Sequence, residues 1–181
     1  MQDTALLIID VQKAFNDPAW GIRSNHNIEV NIASLIEFWR NNQRTVIHIH
    51  HSSEIVESRF HPSNIGHETM DEARPISDEA IFKKFVNSAF IGTQLEQYLR
   101  EQNIEKLIIV GLTTDHCVST SVRMASNLGF QVTLVSDATD TFGRTFNGID
   151  YTAEQIHAVH LASLHDEFCQ VVTTGTILSS D

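Results

Sequence analysis

Short apolar runs alternate along this chain with segments whose apolar residues recur every three or four positions. That alternation between strand-like and helix-like periods is the signature of βαβ units and a mostly parallel sheet. Strands are predicted at Thr4–Asp10, Arg44–His51, near Ala80–Lys84, Lys106–Gly111, Phe130–Ser136 and Glu167–Thr173. Between them, Ile28, Ile32, Leu35, Ile36 and Trp39 mark one helix. Val118, Val122, Ala125 and Leu128 give the inward face of another, running from Cys117 to a stop at Gly129. Thr93–Glu96 and Thr152–Gln155 have capping-box form and open two more, to about Glu101 and about Leu164. The stretch from His51 to roughly Glu79, with Pro62, Gly66 and Pro75, has no regular period. A connection of that length in a compact domain is usually functional.

The 181 residues suit one domain, residues 1–181, with a sizeable core. A net charge of -11 with scattered Lys and Arg argues against nucleic acid as partner. The apolar runs Ala5–Ile9 and Leu107–Val110 are far too short to cross a bilayer, so no membrane role is expected. The N-terminus has no basic-then-apolar leader, and the two cysteines, Cys117 and Cys169, are expected to be reduced. Together these predict a cytoplasmic location.

Several predicted strands end in polar residues: Asp10 after the first, His50 and His51 after the second, Lys84 after the third, Gly111–Cys117 after the fourth and Asp137 after the fifth. Open parallel sheets bind ligands outside the carboxyl ends of their strands, so the topology gathers these side chains at one edge. A cysteine at a helix start, with an ammonium nearby, is expected to reach its thiolate more easily than a free cysteine. A carboxylate there can take the thiol proton and return it to a leaving amine. Taken singly, Cys117 reads as a buried small hydrophobe, Asp10 as a turn residue and Lys84 as a solvated strand end. The combination is what points to chemistry.

Segments in matching order make the resemblance. LLIIDVQKAF (6–15), KFVNSAF (84–90), GLTTDHCVSTSVRMASNLGF (111–130), DATDTFGR (137–144) and AEQIHAVHLASLHDEF (153–168) resemble the isochorismatase-like cysteine hydrolases. The resemblance implies a three-layer α/β/α, Rossmann-like domain with a six-stranded parallel sheet. It implies Asp10, Lys84 and Cys117 as a catalytic triad, and it is what selects Lys84 over Lys83. It also implies a cis Leu112–Thr113 peptide, with the Thr113 and Cys117 amides as oxyanion hole. The implied chemistry is hydrolysis of a C–N bond in a small amide, imide or ureido compound through a Cys117 thioester. Two alternatives are an isochorismatase-type vinyl-ether hydrolase, which needs no cysteine nucleophile, and a catalytically silent binding protein on the same fold. A homodimer or homotetramer is implied as well.

Other residues bear on the substrate. Nicotinamidases resembling this family hold a metal through an Asp-x-His element, whereas HIHHSSEIVESRFHPSNIGH (48–67) has no Asp, so no metal and no cofactor is expected. Phe15, Phe90 and Arg144 are the candidate substrate-binding residues: Phe90 through the SAF element, Arg144 as a carboxylate clamp. Trp20 and Phe60 are further wall candidates. Asp115 is expected to cap the helix at Cys117, and His116 to be awkwardly turned for pairing with its neighbour. His157 and His160, three apart on a helix, are expected to pack or cap.

Overall fold

A computed structural model describes residues 3–179. Six strands form one parallel sheet: β1 (Thr4–Ile9), β2 (Thr45–His51), β3 (Ala80–Lys84), β4 (Lys106–Leu112), β5 (Gln131–Asp140) and, last in the chain, β8 (Gln170–Val172). Their order is β3-β2-β1-β4-β5-β8. The three-layer architecture follows from strand alternation, since successive side chains leave opposite faces. Ala5, Leu7 and Ile9 of β1 pack against α2 (Leu95–Glu101), α3 (Ser119–Asn127) and α4 (Ala153–Leu164). Leu6 and Ile8 pack against α1 (Ile28–Asn41), whose Ile28, Ile32, Leu35, Ile36 and Trp39 are the buried stripe. A short α5 (Thr174–Leu178) joins α1 on that face. Both faces of the central strands β1 and β4 are covered, which is why they read as nearly continuous apolar runs.

The departures from expectation are local. Thr152 and Gln155 form a complete capping box, but α2 starts at Leu95, and Thr93 instead bonds Ala89 O and the Leu95 amide. β5 runs on to Asp140, so Asp137 lies within it; its carboxylate holds the Thr174 amide and hydroxyl and so anchors α5. An unpredicted hairpin, β6 (Arg144–Phe146) and β7 (Ile149–Tyr151), turns at Asn147 and Gly148. Both turn residues have positive φ, the conformation that favours Asn-Gly there. The irregular connection after β2 is tied back to the segment following β1 by Lys13 N–H to Glu68 O and Met70 N–H to Val11 O. Both cysteines are unbridged, and no helix among the described residues is long and apolar enough to cross a membrane.

Candidate active site

β1 and β4 lie side by side while the strands that pair with their other edges, β2 and β5, lie on opposite sides. The crevice at their carboxyl ends is the topological switch point. Asp10 follows β1 directly, with φ of 51, a left-handed conformation that Asp tolerates better than most residues. Its amide is held by Ile49 O at 2.8 Å. The turn after β4 carries Cys117 in a five-residue π-type turn, Thr114–Val118, that runs into α3. The Leu112–Thr113 peptide is cis, as the resemblance implied.

Lys84 completes the cluster from β3, two strands away. The β2–β3 pairing sets His51 opposite Lys84, and the lysine side chain has no exposed surface. Its Nζ lies 2.6 Å from Asp10 Oδ2, 3.2 Å from Cys117 Sγ, 3.2 Å from Val86 O and 3.3 Å from His51 Nδ1. Asp10 Oδ1 is buried and has no hydrogen-bond partner among the described residues. Gln12, itself fully buried, fixes the end of β2 by donating to His51 O and accepting from the His51 amide.

The electrostatics correct one expectation. Burial pushes the Cys117 thiol up to about 12, and the adjacent Asp10 carboxylate pushes the same way, against the Lys84 ammonium. Asp10 and Lys84 already neutralise one another, so a resting thiolate would be an uncompensated charge in a buried site. Cys117 therefore rests as a thiol and not as the readily formed thiolate that its helix-start position suggested. Burial also raises the Asp10 carboxyl, with the Lys84 ammonium opposing. His51 is held down to about 4 by burial and by that ammonium, so its ring is neutral at pH 7.

A cavity of about 140 Å³ opens onto Cys117. Phe15, Trp20 and Phe60 form an apolar wall, with Phe15 at 5.6 Å from Trp20 and 5.2 Å from Phe60 between ring centres. Asn87, His116 and Arg144 give the polar side. Phe90 is elsewhere: it is buried in the core and stacks on Phe130 at 6.1 Å, because the chain turns inward after Ser88. Arg144 reaches the cavity but is not a free clamp. Both its Nε and a terminal nitrogen lie 2.8 Å from Asp115 Oδ2, and that carboxylate already compensates its charge. Asp115 thus holds Arg144 and the Thr141 hydroxyl and makes no helix cap.

His157 bonds the Thr114 hydroxyl at 2.9 Å and so braces the nucleophile turn from α4, while His160 Nδ1 is buried without a hydrogen-bond partner among the described residues. His50, His51, His61 and His67 do not converge. Among the described residues, the group with metal-ligand spacing is Asp10, His51 and Cys117, and the Lys84 ammonium lies in contact with all three. Asn87 was missed in the sequence. Its Nδ2 lies 3.6 Å from Cys117 Sγ, and the signal available was its place three residues after Lys84, inside KFVNSAF.

The isochorismatase domain model matches residues 4–176. The isochorismatase family protein YrdC of Bacillus subtilis is 48% identical over 176 residues, covering 97% of this chain and 94% of that protein. A crystal structure of an isochorismatase-family protein from Chromobacterium violaceum superposes with a TM-score of 0.97 at 38% identity, covering 99% of this chain and 94% of the other. The ureidoacrylate amidohydrolase RutB of Agrobacterium fabrum is 30% identical over 106 residues, 58% of this chain and 46% of that enzyme.

Proposed function

Because this chain belongs to the isochorismatase family of hydrolases, we propose that it cleaves a C–N bond of a small amide, imide or ureido compound through a thioester on Cys117. The observation that carries the reading is the Lys84 ammonium bridging Asp10 Oδ2 at 2.6 Å and Cys117 Sγ at 3.2 Å beside a small, mostly apolar cavity that Asp10 and Cys117 line. An acid, a cation and a sulfur in mutual contact are what acyl transfer from nitrogen needs. Vinyl-ether hydrolysis needs no sulfur. The amidohydrolase relative RutB supports the same bond type.

In the first half-reaction the thiol proton passes to Asp10, whose Oδ1 is unpartnered, as the sulfur lone pair adds to the substrate carbonyl. The carbonyl π electrons move onto oxygen, where the Thr113 and Cys117 amides are placed in this proposal as donors. Collapse breaks the C–N bond, and the departing nitrogen takes the proton from Asp10. Water then adds to the thioester and gives Asp10 a proton. The C–S bond breaks, the sulfur recovers its electron pair and that proton, and a carboxylic acid leaves. Lys84 keeps Asp10 oriented and offsets charge on the sulfur throughout.

The test is an ammonia- and amine-release screen over small neutral amides, ureido acids and imides. The Cys117→Ala variant is expected to lose at least about three orders of magnitude in kcat on any substrate found. Full turnover in that variant would overturn the thioester route and favour the vinyl-ether chemistry.

A further inference from the structure

Sulfur must carry negative charge twice in this cycle, as it attacks and as it leaves, and it does so in a site that disfavours a thiolate. Lys84 is one donor to it. A second comes from the same short segment. After β3 ends at Lys84, residues 84–90 fold back on themselves. The Lys84 ammonium donates to Val86 O, and the Phe90 amide to Ser88 Oγ at 3.2 Å. The Ala89 amide donates to Ser121 Oγ at 3.0 Å, and Ser121 is fully buried on α3, four residues after Cys117. The helix that follows the nucleophile therefore pins the segment that carries Asn87. The result is an Asn87 carboxamide on the cavity wall, Nδ2 3.6 Å from Cys117 Sγ.

Resting on the reading of Cys117 as nucleophile, we infer that Asn87 is a further catalytic residue. Its Nδ2–H donates to Cys117 Sγ as negative charge gathers there during attack, and again as the C–S bond breaks. Charge sets the amide orientation. The thiol proton is directed to Asp10, which leaves the sulfur lone pairs as acceptors. An amide oxygen turned to the sulfur would oppose every charged stage of the reaction. A neutral donor also suits a resting thiol. A second cation in this position would ionise the sulfur permanently, whereas an amide strengthens its bond only when charge develops.

Because Asn87 is exposed, its substitution does not threaten the fold. The experiment compares wild type with Asn87→Ala and the nearly isosteric Asn87→Asp. It reads the second-order rate of Cys117 alkylation by iodoacetamide at pH 8, followed by peptide mass so that buried Cys169 is scored separately. Alanine leaves more room, so access alone would speed alkylation. The inference predicts the opposite: about tenfold slower for Asn87→Ala and slower still for Asn87→Asp, with unchanged melting temperatures. On any substrate from the release screen, kcat falls by a comparable factor while KM moves less than about twofold. Alkylation of Asn87→Ala at or above the wild-type rate would overturn it. That readout needs no substrate. Turnover surviving Cys117→Ala, by contrast, would remove the nucleophile reading and not the Asn87–sulfur contact.

Discussion

A lysine with no exposed surface is held here by a carboxylate that is itself 1% exposed, at 2.6 Å. Such a pair contributes little net stability as a pair, but removing one partner strands the other's charge, typically at a cost of about 3–5 kcal/mol. Lys84→Met should therefore lower the urea-unfolding free energy by about 3 kcal/mol at pH 7. Acidification should recover part of that loss. With its counter-ion gone, the Asp10 folded-state pKa rises further above its unfolded value, and a carboxyl shifted upward is destabilising only above its unfolded pKa. Adding Asp10→Asn to Lys84→Met should cost less than the sum of the two single changes. Strict additivity would show that the two charges do not interact. Lys84 also marks a limit of sequence reading. Period two puts Lys83 and Lys84 on opposite faces of β3 but does not say which face meets the site. The face with Ile81 and Lys83 is the one left exposed, while Phe82 packs inward on the side of Lys84.

Among the elements, β4 and the turn after it carry the tightest constraint. Gly111 has φ of 119, and a Cβ built there would lie 1.9 Å from Ile9 O of β1. Side chains have neither the dihedral nor the space, so the two strands that deliver Asp10 and Cys117 approach closely only because this residue is glycine. Gly111→Ala should cost more than about 3 kcal/mol by urea unfolding and remove activity together with near-ultraviolet circular dichroism. A stable variant with normal turnover would show that β1 and β4 part without disturbing the cluster. The central strands were readable because both faces are buried, and the strand-end polar residues were readable because topology sends them to one edge. The hairpin was not. Phe146, Ile149 and Tyr151 are exposed, so no buried periodicity marks it, and only Asn147-Gly148 signalled the turn. α5 was likewise hidden: its short sequence is positioned by Asp137, thirty-seven residues earlier. Phe90 was misplaced because an aromatic next to a catalytic segment carries no sign of whether it faces the cavity or the core.

For the whole molecule, acid sets two effects against each other. The chain carries a net charge of -11 at pH 7, so protonation relieves self-repulsion and favours the compact state. Against that stand the half-buried histidines of β2. His50 and His51 are each held down to about 4, chiefly by burial, with His48, His67 and Lys83 adding to it for His50 and Lys84 and His67 for His51. Their unfolded-state values near 6.5 mean that the unfolded chain binds protons first. The stability they contribute is complete above about pH 6.5 and is lost as pH falls toward 4. Allowing for partial exposure, the loss is on the order of 2 kcal/mol for His50. Asp10 and Asp140, raised by burial, have the opposite sign, since they favour the folded state as pH falls toward the unfolded carboxylate range. At physiological salt, repulsion between surface charges is screened beyond about 8 Å, while the buried rings are hardly screened at all. The histidines should therefore win. Urea unfolding in 0.15 M salt is expected to show stability falling steadily from pH 6.5 to 4.5, and His50→Asn should flatten that slope. Lowering the salt tenfold should flatten it too, because the repulsion that acid relieves then reaches across the molecule. A profile that is level from pH 7 to 4.5 in 0.15 M salt would mean that the rings take up protons in place, and that β2 opens to water at far lower cost than its burial implies.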